Sequence, residues 1–359
     1  MGGSGISVRP AGSGSTEFPW NWKLSDLDDR QKNGLTVFSC FSCGGGSSMG
    51  YKLAGYDVVG NCEIDPDMEK IYRQNNHPKY TFLMDIRDFV GLPDEEIPED
   101  LKHLDVLDGS PPCSVFSTAG DREKAWGKEK VFREGQKEQR LDDLFLFFLK
   151  TAKRLQPKVI IAENVKGLIT GNAKGWVNLI VKAFDDAGYQ VQIFLFNSAR
   201  MGVPQKRERV FFIAHRKDLK LPKLVMRFDE KPIPFKDVRE PYGKPPAEDS
   251  LSARIMKYRL PTDRDVSDIN IRVRKRHSNF NSAINHDDEP VQTITAGGHA
   301  FRMCDGLLMT DRDIINCQTF PQDYDFMDQS VQYVCGMSVP PVMMAQIASQ
   351  VYEQWLSIV

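Results

Sequence analysis

Two hydrophobic periodicities take turns along this chain. From Leu35 onward, short apolar runs of strand length alternate with stretches whose apolar residues recur at helical spacing. The pattern predicts strands over 35–41, 57–62, 104–107, 159–162, 190–196 and 210–214, and another apolar stretch just before Asp85. It predicts helices over 47–54, 66–75, 144–155 and 176–187. Strands that alternate with helices predict an α/β domain built on a mostly parallel, doubly wound sheet. After Ala214 the alternation stops. Proline recurs (Pro222, Pro232, Pro234, Pro241, Pro245, Pro246) and helical periodicity is poor, which predicts a smaller, irregular second domain. A helical pattern returns from Val334, and a helix over 342–355 is expected to rejoin the first domain. The expected organisation is a flexible tail over 1–30, a catalytic domain over 31–215, a small domain with a hinge over 216–329, and a returning C-terminal helix over 330–359.

Composition narrows the class. With 359 residues, 41% hydrophobic and 27% charged, the chain has the make-up of an ordinary globular protein. No run reaches the ~18 apolar residues of a membrane span. Residues 1–17 are Gly/Ser-rich, without the basic and apolar regions of a secretory signal, and suggest a tail of natural or cloning origin. Seven scattered cysteines, an odd number, predict a reducing compartment, so a cytoplasmic protein is expected. Cys40 and Cys43 have CxxC spacing, but no second pair completes a metal site, and no metal is expected. A thiol redox pair is one reading of them. Two small residues at a strand end are the other.

Charge is uneven. The net charge is −2, yet 216–276 holds 17 Lys+Arg against 10 Asp+Glu, a local balance of 17 − 10 = +7. That asymmetry suggests an anionic partner for this region, or a solvated basic surface.

Candidate chemistry falls at predicted strand ends, where open α/β sheets place their ligands. Phe41-Ser-Cys-Gly-Gly-Gly46 follows the first strand and opens a helix, and its Gly45 and Gly46 would let backbone approach a ligand. Glu63 ends the second strand, where an acidic residue binds ribose hydroxyls in nucleotide-binding folds. Asp85, followed by Ile86, could accept from an adenine amino group. Together these suggest an adenosine-containing cofactor, with NAD and S-adenosylmethionine both open. Beyond the strand at 104–107 comes Pro111-Pro-Cys113, a thiol on a stiff mount. Glu163 and Asn164 end the next strand, and Arg207 and Arg209 precede another. Cationic neighbours would favour the thiolate of Cys113.

These motifs, in this order, resemble the bacterial and phage type of DNA (cytosine-5) methyltransferase. The Gly-rich turn, Glu63-Ile-Asp-Pro66, Asp85-Ile86, Pro111-Pro-Cys113, Glu163-Asn-Val165 and Gln205-x-Arg-x-Arg209 all correspond. So do Pro290-Val-Gln-Thr-Ile-Thr295, Gln318-Thr-Phe-Pro321 and Gly336-Met-Ser-Val-Pro340, so the match runs from Leu35 nearly to the end. Three departures stand out. Ser39-Cys-Phe-Ser-Cys43 replaces the family's Asp-Leu-Phe-Ala-Gly, Ser114 replaces a glutamine, and Met337 replaces an asparagine.

The resemblance implies a class I S-adenosylmethionine-dependent methyltransferase fold with a target-recognition domain. It selects S-adenosylmethionine over NAD, with S-adenosylhomocysteine as product. It implies a covalent bond from Cys113 to C6 of a flipped cytosine, with Glu163, Asn164, Arg209 and Arg207 assisting. Cofactor contacts are implied for Phe41, Gly45, Gly46, Glu63, Ile64, Asp85, Ile86, Pro112, Met337 and Ser338. DNA contacts are implied for Ser114 and Ser117, for Arg122 and Lys124 in a mobile loop over 121–140, for Arg207, and for Arg272 and Arg274 in the basic tract. The expected partner is double-stranded DNA, with a cognate restriction endonuclease in the same system and a monomeric enzyme. Three rivals remain open: methylation of tRNA cytosine, a catalytically weak DNA-binding relative, and a thiol redox protein using Cys40 and Cys43.

Overall fold

The computed structural model describes residues 18–112, 143–170, 174–276 and 282–359. The first part alternates as the hydrophobic pattern predicts. In chain order it runs β1 (Thr36–Cys40), α1 (Gly46–Leu53), β2 (Asp57–Glu63), α2 (Pro66–Asn76), β3 (Tyr80–Leu83), α3 (Ile86–Gly91) and β4 (Val106–Gly109). It continues with α4 (Leu144–Leu155), β5 (Val159–Val165), α5 (Lys174–Asp186), β6 (Tyr189–Asn197), β7 (Gln205–Lys206) and β8 (Glu208–Arg216). Local chemistry sets the helix starts. Asp65 caps α2, accepting from the amides of Asp67 and Met68, and Pro66 supplies a fixed φ for the first turn. Asp85 caps α3 in the same way through the Arg87 amide.

Seven strands form one sheet in the order β3-β2-β1-β4-β5-β8-β6. β3 through β5 are parallel, while β8 is antiparallel to both its neighbours. The sheet is therefore mostly parallel, with a reversed strand the hydrophobic pattern could not orient. The connection from Asn197 to Glu208 is too short for the crossover that a parallel pair needs. Both faces are covered. Val37, Val106, Ile161 and Phe211 enter one core with α1, whereas their chain neighbours Phe38, Leu107, Ile160 and Phe212 enter the other with α3, α4 and α5.

Two corrections concern organisation. Residues 18–30 are not a loose tail. Phe18 and Trp22 are buried, the Trp22 indole donates to the Thr319 carbonyl at 2.9 Å, and the Leu24 amide donates to Asp323 at 2.8 Å. Two aromatic side chains this apolar cannot stay in water when a groove is available. Residues 1–17 lie outside the described residues.

Second, 216–329 does not share one core. A small separate core of Ile255, Met256, Val266, Ile269, Ile284 and Phe301 is built by α6 (Leu251–Met256), α7 (Val266–Arg274), β9 (Ser282–Asn285) and β11 (His299–Arg302), with β9 and β11 parallel. Between them β10 (Val291–Gln292) pairs with β7. Leu224, Phe235, Val238, Ile314 and Phe320 belong instead to the main core, the last two in or just after α8 (Asp311–Gln318). α9 (Val331–Met337) and α10 (Pro341–Gln354) complete the chain, and α10 lies against α1. The helices α6 to α9 escape periodicity because each is short. Their caps are Ser250, Asp265, Thr310 and Ser330, each accepting a first-turn amide.

Candidate active site and cofactor cleft

A cleft opens at the carboxyl ends of β1, β2 and β4. It holds about 800 Å³ of empty space, solvent at its mouth included. Phe41, Glu63, Ile64, Asp85, Ile86, Pro112 and Met337 line it, as do Cys43, Cys62, Asp65, Met68, Met84, Ser110, Leu144 and Tyr333. The turn after β1 reaches it through two left-handed residues that are not glycine, Phe41 at φ 56° and Cys43 at φ 46°. Cys43 stands where the family pattern has glycine, so the departure puts a thiol into the cleft wall.

Glu63 is the best-fixed group there. Its carboxylate accepts from the amides of Cys43 at 2.7 Å, Ile64 at 2.8 Å and Asp65 at 3.0 Å. Burial pushes its pKa up, opposed by those backbone donors. Asp85 also lines the cleft, while its carboxylate pairs with the Arg87 guanidinium at 2.9 Å.

Gly45, Gly46 and Ser338 do not line the cleft. The glycines serve close packing instead. A Cβ on Gly45 would meet the Asn76 side chain at 2.4 Å, and one on Gly46 would meet the Val339 carbonyl at 2.4 Å. Gly45 also has φ 77°, which favours glycine on its own. Ser338 donates to the Val334 carbonyl at 2.8 Å, closing the end of α9.

At the other end of the site, β5 and β8 bring together residues distant in sequence. Their antiparallel register pairs Glu163 with Phe211 and Val165 with Arg209. Arg209 Nε lies 2.9 Å from Glu163 Oε1, with both side chains largely buried, and its Nη1 donates to the Glu208 carbonyl. Burial lowers the Arg209 pKa, with Glu163 opposing the shift. Asn164 Nδ2 donates to the Pro111 carbonyl at 3.0 Å, and its oxygen accepts from the Val165 amide at 2.9 Å. One side chain thus ties the end of β5 to the proline pair, whose Pro112 lines the cleft.

Arg207 is placed differently from Arg209. It is 2% exposed and donates to the carbonyls of Ile294 and Gly336, both at 3.0 Å. In this structure it joins the junction of β7 and β8 to the 290–295 segment and to α9, with its guanidinium buried. Arg272 is committed to Asp263 at 2.6 Å and to the Tyr258 carbonyl, whereas Arg274 ends α7 exposed. Cys113, Ser114, Ser117, Arg122 and Lys124, together with the loop over 121–140, lie outside the described residues.

Periodicity did not single out Asp108, Tyr333, Cys62 or Gln205. Asp108 could have been found as a carboxylate ending a buried strand five residues before the thiol. Gln205 is fully buried, donating to Gln318 Oε1 at 2.8 Å and accepting from the Ile294 amide at 2.8 Å. It links three of the motifs the resemblance rests on. As for the redox reading, Cys40 and Cys43 are free thiols, and burial pushes Cys43 up to about 12 and Cys40 upward as well. Neither suits thiolate exchange. No metal-binding cluster occurs among the described residues, and no helix among them is long and apolar enough to cross a membrane.

A mostly parallel seven-stranded sheet with a reversed strand, helices on both faces and a ligand cleft at its carboxyl edge defines a class I methyltransferase fold. Solved structures share it. A prophage-encoded DNA modification methyltransferase (E. coli) superposes with TM-score 0.65 at 20% identity, covering 89% of this chain and 99% of that one. An S. pombe Dnmt2 methyltransferase superposes with TM-score 0.57 at 16% identity, covering 89% and 98%. The sequence profile of the C-5 cytosine-specific DNA methylases matches residues 35–353, and the chain belongs to that family. Type II methyltransferase M.FnuDI of Fusobacterium nucleatum is 33% identical over 210 residues, 58% of this chain and 54% of its own length. M.NgoPII of Neisseria gonorrhoeae is 34% identical over 210 residues, so the chain spans little more than half of these two relatives, 54% and 56%. M1.HphI of Haemophilus parahaemolyticus is 29% identical over 343 residues, 89% of this chain and 87% of its own. The family is S-adenosylmethionine-dependent.

Proposed function

We propose that this chain methylates C5 of a cytosine flipped out of double-stranded DNA. The observation that carries the reading is the tie from Asn164 to Pro111, next to the Glu163–Arg209 pair. It joins a carboxyl group, a guanidinium and the mount of a cysteine at one edge of the cofactor cleft.

The cleft suits S-adenosylmethionine. Glu63 and Asp85 are carboxylates able to accept from hydroxyl and amino donors, and Phe41, Ile86 and Tyr333 offer apolar walls for a base. Bound there, S-adenosylmethionine supplies an electrophilic methyl group. In this reading the thiolate of Cys113 adds to C6 of cytosine, breaking the ring conjugation and making C5 nucleophilic; once C5 carries the methyl group, loss of its proton to a base expels the thiolate and restores the ring. Glu163 faces the N3 side and stabilises the charge that develops there. Arg209 holds the Glu163 carboxyl in place, and Asn164 holds the loop that carries the thiol. Arg207 acts by fixing the strand from within. The exposed cations of the 216–276 tract, Arg274 among them, would contact phosphates and bases, with Arg122 and Lys124 clamping the strand. The enzyme would act as a monomer alongside a cognate restriction endonuclease in the cytoplasm.

Purified protein, labelled S-adenosylmethionine and mixed-sequence duplex DNA test the reading. Label at cytosine C5 that disappears in Cys113→Ser is the expected result. Glu163→Gln should retain cofactor binding and lose about 10²–10³-fold in single-turnover rate. Label on tRNA but not on duplex DNA, or no adduct with DNA bearing 5-fluorocytosine, would overturn it.

A further inference from the structure

The sequence pattern of the family puts an acidic residue at position 39, where this chain has serine. The structure shows a carboxylate beside it. Ser39 pairs in parallel register with Asp108 across β1 and β4. Asp108 is 2% exposed, and its Oδ2 accepts from the hydroxyls of Ser39 and Ser47, both at 2.8 Å. Its Oδ1 accepts from the Tyr51 hydroxyl at 3.3 Å. Ser47 stands in the first turn of α1, directly behind the glycine turn, and Tyr51 lies one turn further along. Asp108 is followed at once by Gly109, Ser110 and the proline pair, two of which line the cleft. A buried carboxylate is costly unless its lone pairs are filled, and three hydroxyl donors fill them here.

We propose that Asp108 is a positioning residue that has taken over the acid missing from position 39. It fastens the start of α1 to the loop that carries the thiol, so that cofactor and nucleophile keep a fixed spacing. The inference rests on the methyltransferase reading above. The groups around Asp108 are Ser39 and Cys40 on β1, Ser47 and Tyr51 on α1, Tyr72 on α2, and Glu163 on β5. Among these described residues only Glu163 is a second carboxyl group, and none is a cation. The ionised carboxylate accepts from all three hydroxyls. A protonated one must donate once, which turns one hydroxyl around and loosens a tie. Burial raises the pKa of Asp108 to about 7, so the switch falls in an accessible range.

The test measures S-adenosylhomocysteine binding and single-turnover methylation from about pH 6 to about pH 8. The proteins are the native chain, Asp108→Asn, Asp108→Ser, and the double exchange Ser39→Asp with Asp108→Ser. Native affinity and rate should rise by about tenfold across that range. Asp108→Asn should keep the fold by its melting curve and lose the pH dependence of S-adenosylhomocysteine binding. Asp108→Ser should weaken both quantities, and the double exchange should restore them. An unchanged pH profile of binding in Asp108→Asn, or a folded double exchange no better than Asp108→Ser, overturns the inference. A native chain that binds no S-adenosylhomocysteine and methylates nothing overturns the methyltransferase reading itself, a separable result.

Discussion

The main body and the small 251–308 region are held together by different means. The main body buries two apolar layers against one sheet, with aromatic contacts running through it, such as Phe212 against Phe145 at 5.3 Å. The small region's own core has six buried apolar residues among the described ones. A core that small supplies little net stability. Directional polar ties fasten it to its surroundings as well. Arg272 holds Asp263 at 2.6 Å, Arg239 holds Asp287 at 3.1 Å, and Arg264 pairs with Glu289. Arg302, fully buried, donates to the carbonyls of Glu240 and Pro241 and faces Asp313 on α8. Such ties specify geometry more than they add stability. The difference teaches a division of labour. The layer-packed body can keep a cofactor cleft rigid, while the strut-held region can change its surface residues without disturbing a shared core.

Three measurements bear on that division. Phe212→Ala should cost about 3–5 kcal/mol, seen as a drop in the unfolding midpoint of the whole chain. A loss confined to one segment would break the comparison.

The next effect separates the two regions by pH. Asp108, in the main body, has its pKa raised to about 7 by burial, against the opposing Ser39, Ser47 and Tyr51 donors. A carboxyl group raised in the folded state stabilises fully below its unfolded pKa, and that contribution is lost as pH rises through the folded value. About three pH units correspond to roughly 4 kcal/mol of stability lost between about pH 4 and about pH 7. Asp108→Asn should remove that slope. Asp263, in the small region, has its pKa lowered, chiefly by the Arg272 hydrogen bond. Its contribution is present above the unfolded value and is lost as pH falls through the folded one. Acid should therefore loosen the small region first, and alkali should tax the main body, as hydrogen exchange at each pH would show.

The smallest effect is local. Ile269→Ala should cost about 2–3 kcal/mol. It should expose the amides of α7 to exchange and weaken DNA binding, while S-adenosylhomocysteine affinity stays put. Equal loss of protection in β4 and β5 would show that the regions unfold as one.

The parallel strands were legible because each is an apolar run between turn signals, and β5 is no more than such a run ended by Glu163-Asn164. The direction of β8 was not legible, since an apolar run has no sign. The helices α6 to α9 were missed because a helix of two turns shows too little periodicity, although each has its cap. At the site, Glu163, Asn164 and Arg209 were readable from type and position at strand ends. Arg207 carries the same chemistry as Arg209, and only the packing around it shows that its guanidinium faces carbonyls. Asp108 could be read as a carboxylate at the end of a buried strand, but its pairing with Ser39 is visible only when β1 and β4 lie side by side.

The cleft is walled on one side by Glu63 and on the other by Tyr333 and Met337. Glu63 leaves the ribosome early, and the other two leave near the end of the described chain. The cleft is therefore lined from both ends of the described chain, and it stays incomplete until Tyr333 and Met337 have been made. A chain ended before Tyr333 would hold Glu163, Arg207 and Arg209 but lack part of the cleft wall.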